Sequence, residues 1–422
     1  MEPVQTGRLA KDVRHINVAD PPYGARGDGS PGDGAILLAA LEEACTTGRA
    51  LFIPDGTWLL DSRVTFAAGM FGFCGPWIGS TARAIVVGAG RDRTILRLAA
   101  NPLHGVAFQN LAALTLCGMT IEAEAQTEGS GIALENVKNF VLSDIAVRNA
   151  FNNGIAILDD SWYGSISGFL IEGSRGVGFN GSTVDSVGYG IVLSTSGAGQ
   201  EGHGPRPRYI RINDGLIRNV FASGINVSEA CAIQISNVQV VREPVTDGSQ
   251  HVTGYAAVSV KNNAENILID NLYGEGTSIG FLVIGASDVI CTNSIFFGNW
   301  EQGVLLRTKV ENGLPPRRIT VRGIKVIDPC QAGTANAAGF LIVGGFGTRL
   351  IENEVRSDGK MQYGFLETEN PVETEYAGNV SRGAAKDNAP TRIGADGQYV
   401  LATKRLGRLS AIAAWLVSRG RS

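Results

Sequence analysis

Long apolar runs are missing from this 422-residue chain. No window approaches the ~20 apolar residues of a membrane-spanning helix, so no span is expected. Charge is sparse too, at 18% Asp, Glu, Lys and Arg with a net charge of −4 and no basic run, which excludes the positive footprint of a nucleic-acid-binding protein. The six cysteines (Cys45, Cys74, Cys117, Cys231, Cys291 and Cys330) stand far apart and never form a CxxC or Cys/His spacing. They read as buried free thiols, not as metal ligands or a disulfide framework. Met1 to Asn17 is too polar for a secretory signal. A sustained 3.6-residue apolar period is absent from most of the chain, which excludes helical repeats.

Glycine is abundant instead, at 56 residues, against 44% apolar residues, the composition of a glycine-punctuated folded protein. From Gly131 onward a pattern recurs, in which a glycine leads a short strand of alternating apolar residues, followed by a polar break and two more short strands. Copies are Gly131-Ile-Ala-Leu-Glu-Asn136, Gly154-Ile-Ala-Ile-Leu-Asp-Asp160, Gly190-Ile-Val-Leu-Ser194 and Gly224-Ile-Asn-Val-Ser-Glu229, with later ones at Gly280, Gly303, Gly339 and Gly364. Their spacing of about 22 to 36 residues is that of one solenoid turn plus variable loops. A second recurring element is an Asn or Asp before a β-branched or Leu-led strand, at Asp144, Asn237, Asn271, Asn293, Asn353 and Asn379. These residues suit a left-handed corner repeated on every coil, where their side chains can also hydrogen-bond along the stack. No coil can bury its own inner face, so coils must stack at the ~4.8 Å strand spacing into a prism with three strand faces. The pattern therefore predicts an all-β, single-stranded parallel β-helix. An amphipathic helix over Asp33 to Arg49, with Ile36, Leu37, Leu41, Ala44 and Cys45 on one side, caps its start. The expected organisation is a cap segment over 1–60, the β-helix over 61–385 and a tail with a short helix over 386–422.

Ile16-Asn-Val-Ala-Asp20, Tyr23-Gly-Ala-Arg-Gly-Asp-Gly29, the Asp33-led helix and Leu51-Phe-Ile-Pro-Asp-Gly-Thr-Trp58 together resemble the opening of the pectate-lyase superfamily, whose pattern is a strand, YGAxGDG, an Asp-led helix and xIPxGxY. The motif match covers roughly the first 60 residues, and the coil pattern extends it over most of the chain. The resemblance implies a right-handed β-helix that handles carbohydrate outside the cytoplasm (secreted, periplasmic or on the cell surface). It does not imply one reaction, because the group holds polygalacturonases, lyases, epimerases and phage tailspikes. Of the polygalacturonase motifs, Asp159-Asp160 and Gly202-His203-Gly204 have counterparts here. Glu135-Asn136 stands where Asn-Thr-Asp should be, and no Arg-Ile-Lys occurs at the right distance. The Asp-Pro-His-Glu signature of alginate epimerases is absent.

If Ile155 and Ile157 point inward, the period-two alternation turns Glu135, Ser194, Asn226, Ser228, Ser259, Lys261 and Arg307 outward in a file. Carboxylates one coil apart would lie about 5 Å from each other, and two coils apart about 9 to 10 Å. These separations bracket the retaining (about 5 Å) and inverting (~6.5 to 9.5 Å) glycosidase pairs. Glu135 with Asp159 or Asp160 is thus the candidate acid/base pair, with Asp159-Asp160 as a plain turn cap the competing reading. Glu229, Lys261 and Arg307 form a second candidate cluster, suited to proton abstraction and enolate stabilisation in a β-elimination, or to solvated surface charge. His203 and His251 sit in long loops, as an acid/base or sugar contacts. Trp162 and Tyr163 are candidate sugar-stacking residues. The same file holds Leu158, Val192, Leu282, Ile284, Leu305, Leu341 and Val343, too apolar for an open sugar groove. A covering loop, the C-terminal segment or another subunit, as in a tailspike-like trimer, would account for it. The functional expectation is a glycoside hydrolase acting on an acidic or complex polysaccharide, without cofactor. The alternatives are a lyase, for which Ca²⁺ enters, and a non-catalytic glycan-binding β-helix.

Overall fold

The fold is that of a computed structural model, which describes residues 15–61, 71–74, 81–99, 105–127, 129–175, 188–195, 205–243, 255–333, 337–393 and 399–401. It is a parallel β-helix. Thirteen strands, among them Ile132–Glu135, Ile155–Leu158, Ile191–Ser194, Ile225–Ser228 and Ala256–Lys261, form one sheet, and twenty others form a second sheet that bends around two faces of the prism. Pairing is parallel throughout the coils, with Ile132, Ile155 and Ile191 in register. The only antiparallel pair among the described strands joins Asp387–Ile393 to Tyr399–Leu401.

Interior columns follow from that register. Ile132, Ile155, Ile191, Ile225, Val258, Phe281, Val304, Phe340 and Phe365 stack one above the other, and all are fully or almost fully buried. Strands of the larger sheet, such as Cys231–Val241 and Glu265–Glu275, alternate buried and exposed residues, because only their inner side is covered by the core. An acidic side chain also enters the interior: Glu367 is fully buried and accepts a hydrogen bond from the Tyr376 hydroxyl at 2.9 Å.

The strand-leading glycines are required by space. A Cβ on Gly131 would come within 2.3 Å of Val147 Cγ1, on Gly154 within 2.5 Å of Ile171 Cγ2, and on Gly303 within 2.2 Å of Val326 Cγ1. At this corner two successive residues face the interior, and only the second has room for a side chain. The other corners require a left-handed backbone. Asp144, Asp214, Asn237, Asn271 and Asn293 all have φ between 50 and 55°, and Gly118, Gly168, Gly323 and Gly378 take the same place on other coils. The expected side-chain ladder is present, since Asn237 Nδ2 donates to Asp214 Oδ1 (3.0 Å) and Asn271 Nδ2 to Asn237 Oδ1 (2.8 Å). Asn353 and Asn379 depart from the expectation. The left-handed residues there are Glu352 and Gly378, and the asparagines one position later turn inward, where Asn353 Nδ2 donates to Asn379 Oδ1 and to the Val321 carbonyl, each at 2.9 Å.

One outer column alternates in charge: Arg97, Glu122, Arg148, Glu172 and Arg218 lie in register on successive coils. Arg97 and Glu122 pair at 3.0 Å, and Arg148 lies 3.9 Å from both Glu122 and Glu172. Exposed pairs of this kind contribute about 0–1 kcal/mol each, but a coil stacked out of order would set like charges side by side.

The helix occupies Asp33–Thr47, with Leu37, Leu41, Ala44 and Cys45 buried against the first coils. The buried Asp33 carboxylate accepts the backbone N–H groups of Arg26 and Gly27 at 3.0 and 2.9 Å, and a Cβ on Gly27 would strike the Trp58 ring at 2.6 Å. The N-terminal motif is thus a packing unit. Ala50–Ile53 and Gly56–Leu60 already pair with later strands (Arg83–Gly88 and Thr94–Leu98), so coil stacking begins before residue 61, and Asp387–Ile393 extends it past residue 385. The tail helix expected near Leu406 lies outside the described residues. Cys45, Cys291 and Cys330 are buried free thiols, and Cys117 and Cys231 are free and partly buried. No helix among the described residues is long and apolar enough to cross a membrane.

Gly303→Ala should lower the stability by about 1–3 kcal/mol, the usual cost of overpacking. Adding Val326→Ala should cost less than the sum of the two single changes, because the lost methyls vacate the colliding space. Urea unfolding of the three variants measures this.

Candidate functional site

The outward residues of the thirteen-stranded sheet form two files. Ala107, Ala133, Ala156, Val192, Asn226, Ser259, Leu282, Leu305, Leu341 and Leu366 make one; Gln109, Glu135, Leu158, Ser194, Ser228, Lys261, Ile284, Arg307, Val343 and Thr368 make the other. The expected outward direction holds, and the files divide by exposure. From Ser194 to Leu305 much of the surface is buried, with Ser194 7%, Ser259 0% and Leu282 2% exposed, within the single chain. Of the apolar members, Val192, Leu282 and Leu305 are buried within the chain, while Leu158, Ile284, Leu341 and Val343 are half-buried. Buried polar members satisfy one another, as where Ser259 Oγ donates to Asn226 Oδ1 at 2.7 Å and Asn262 Nδ2 to Ser228 Oγ at 2.9 Å.

Glu135 ends its strand half-buried, after the buried Ile132, Ala133 and Leu134. Gln109 of the preceding coil donates Nε2–H to Glu135 Oε2 at 2.8 Å. Burial, and then the charge of Asp159, hold the Glu135 carboxyl above its ordinary value, while the Gln109 hydrogen bond opposes them. Asp159 stands one coil on and one residue further along, at a corner with φ 52°. Asp160 is placed differently: it pairs with Arg208 Nη1 at 2.8 Å, and its backbone N–H donates to Asn136 Oδ1 at 3.2 Å. The ion pair holds the Asp160 carboxylate against the next coil, so Asp160 positions Arg208, and the carboxylate whose charge acts on Glu135 is Asp159.

Beyond that corner the chain enters the larger sheet at Trp162. Lys138 Nζ lies 5.1 Å and Arg208 Cζ 5.3 Å from the Trp162 ring centroid, one from the preceding coil and one from the next. These cations occupy the Trp162 ring, and the open aromatic surface falls to its neighbour. Tyr163 is 53% exposed and stacks on Tyr209 of the next coil, centroids 5.1 Å apart and planes 24° from parallel. Both have left-handed backbones, φ 55° and 57°, which for a bulky residue cost on the order of 1 kcal/mol. A groove of about 630 Å³ runs beside them over Ser165, Arg211 and Gln234. Tyr209 and Arg211 were not singled out from the sequence. The available signal was that Arg208-Tyr209 repeats Trp162-Tyr163 one coil later.

The remaining candidates lie elsewhere. Lys261 is four coils from Glu135 along the file, and Arg307 two further. Burial, reinforced by the Arg307 charge, pushes the Lys261 ammonium down to about 8. Glu229 is a corner residue, φ 53°, and accepts a hydrogen bond from the Thr195 hydroxyl. The two clusters are thus separate sites. His203 and His251 lie outside the described residues. Among the described residues no three His, Cys, Asp or Glu side chains gather to hold a metal ion.

The model of the family described as "Right handed beta helix region" matches residues 167–355. Among solved structures, the AlgE6 A-module of the Azotobacter vinelandii mannuronan C-5 epimerase is similar at 16% identity, covering 88% of this chain and 94% of that one with a TM-score of 0.64. The N-terminal fragment of bacteriophage Phi29 gene product 12 is similar at 12% identity (92% and 73% covered, TM-score 0.59). The Yersinia enterocolitica family 28 exopolygalacturonase is similar at 13% identity (92% and 79% covered, TM-score 0.54). The chain has a right-handed parallel β-helix fold. No curated protein matches its sequence. At such identities the likeness establishes how this β-helix is built, and its chemistry has to be argued from its own side chains.

The Glu135 environment makes a pH prediction. A carboxyl whose folded value is raised contributes stability that is present below its unfolded value and lost as pH rises through the folded one. Glu135→Gln should therefore gain stability relative to the parent between acid and neutral pH, with little difference at pH 3. Thermal melts of both proteins across that range read the sign.

Proposed function

We propose that this β-helix is a glycoside hydrolase of an acidic or complex polysaccharide, with Glu135 as the general acid and Asp159 as its charged partner. The observation that carries the reading is the environment of Glu135, a partly buried carboxyl favoured in its protonated form by burial and by the Asp159 charge. That is the direction in which a general acid has to be shifted. Adjacent coils rise by about 4.8 Å, near the about 5–5.5 Å separation of a retaining pair, in which one carboxylate attacks the anomeric carbon while the other protonates the leaving oxygen. Exposed tyrosines around the corner supply an apolar face for a sugar ring. The likeness to an epimerase of mannuronan and to an exopolygalacturonase supports a glycan as substrate.

Screening a polysaccharide panel for new reducing ends tests the reading. Glu135→Gln and Asp159→Asn should each lower the rate by about 10²–10⁴-fold, whereas Asp160→Asn should chiefly loosen the Arg208 contact and lower stability. Undiminished activity in both of the first two variants would rule the hydrolase out.

Lys261 favours a second reading, β-elimination on a uronate. With its ammonium pushed down to about 8, roughly a tenth of it is neutral at pH 7 and free to take the proton next to a carboxylate. Arg307 would stabilise the enolate. That reaction leaves an unsaturated product with its own ultraviolet absorbance, and Lys261→Met should abolish it. Glycan binding with neither product would mark a non-catalytic β-helix.

A further inference from the structure

We propose that the outer face of the larger sheet carries a separate binding surface for an acidic polysaccharide, where a sugar ring stacks on Tyr209 above Ala232 and its anionic group pairs with Arg211. The proposal deepens the glycan reading above by naming a substrate class and a place where the chain is held. It does not depend on which carboxylates act.

The argument starts from the corner that begins this face. Nearly every coil has a left-handed residue there: Tyr163, Tyr209, Ala232, Asn266, Asp288 and Arg318 in succession. Asn or Gly would fill such a corner with least strain, and two consecutive coils carry tyrosine instead. Neither tyrosine packs into the core; they are 53% and 50% exposed. Core packing therefore does not account for them.

Their arrangement has a direction. Trp162 and Tyr163 lie 4.6 Å apart, and Tyr163 stacks on Tyr209 at 5.1 Å. The equivalent residue on the next coil is Ala232, because Arg208 pairs with Cys231 and Ile210 with Ile233. The aromatic column stops there, and the step above the alanine is part of the groove. A pyranose ring, which presents an apolar C–H face to an aromatic ring, fits as the next member of the stack. Two residues further along the strands, Ser165, Arg211 and Gln234 lie side by side on three coils. They offer a hydroxyl, a guanidinium and an amide within one row. Among the described residues no Asp or Glu lines the groove and Arg211 is its one full charge, so a carboxylate or sulfate on the sugar is matched and a second cation is not. The volume of about 630 Å³ is within the ~300–1,000 Å³ range of ligand sites.

Affinity electrophoresis of the full chain in gels containing polygalacturonate, carrageenan or dextran tests this. The parent should be retarded by an acidic polymer and run freely in dextran. Polygalacturonate against carrageenan tells a carboxylate from a sulfate as the anion. Tyr209→Gly relaxes the left-handed corner and should keep or raise the melting temperature, yet weaken binding about tenfold, the size of one aromatic contact. Ala232→Tyr extends the aromatic column into the site and should block binding to a similar degree. Arg211→Gln should remove the preference for acidic polymers. Retardation is read without counting reducing ends, so this surface and the hydrolase reading fail independently. Equal retardation of the parent, Tyr209→Gly and Ala232→Tyr would overturn the proposal, as would retardation by dextran or by none of the polymers.

Discussion

Hydrogen bonding of each coil to the next sets a rise of about 4.8 Å per turn, and the rest of the molecule is arranged around that rise. A coil has no core of its own; its apolar residues are buried only because equivalent residues stand above and below it, as in the column from Ile132 to Phe365. Because equivalent positions stack, any property of a position is repeated along a file. Space is missing at the strand-leading corner, so glycine recurs there. A left-handed backbone is needed at the other corners, so Asn, Asp and Gly recur there and hydrogen-bond into ladders. Charge alternates from Arg97 to Arg218 for the same reason: like charges would otherwise meet at every step.

That rigid spacing also organises the chemistry. Groups on neighbouring coils are held at one separation, and groups several coils apart cannot meet. Glu135 and Asp159 interact because they are one coil apart, and burial with like charge favours the protonated form of Glu135. Lys261 is four coils away, where burial and then the charge of Arg307 act on it. Between the two clusters Ser194, Ser228, Val192 and Asn226 are buried within the chain, so the outer file separates Glu135 from Lys261.

Much of this was legible in the sequence because a solenoid writes its local rules many times over. Glycine before Ile at Gly131, Gly154, Gly190 and Gly224 marked the strand starts, although the reason was steric contact with residues such as Val147 and Ile171, which no local pattern displays. Asn237 and Asn271 were legible as left-handed corners. Asn353 and Asn379 were not told apart from them, since a shift of one residue moves the side chain from the corner into the interior, where carbonyls are available to it. Asp160 looked equivalent to Asp159 because the two are adjacent, yet only the coil that follows brings Arg208 against one of them.

The sequence by itself determined the class of fold, the inward and outward faces of the strands and the capping helix, because period-two alternation and corner residues are local properties. Tertiary structure decided which residues share a site. Trp162 is occupied by Lys138 and Arg208, while Tyr163 is joined by Tyr209, 46 positions later in the chain. Coil lengths vary, so partners across the stack are separated by unequal stretches of sequence. The register that pairs them is set by hydrogen bonds between coils, which appear only once the chain has wound.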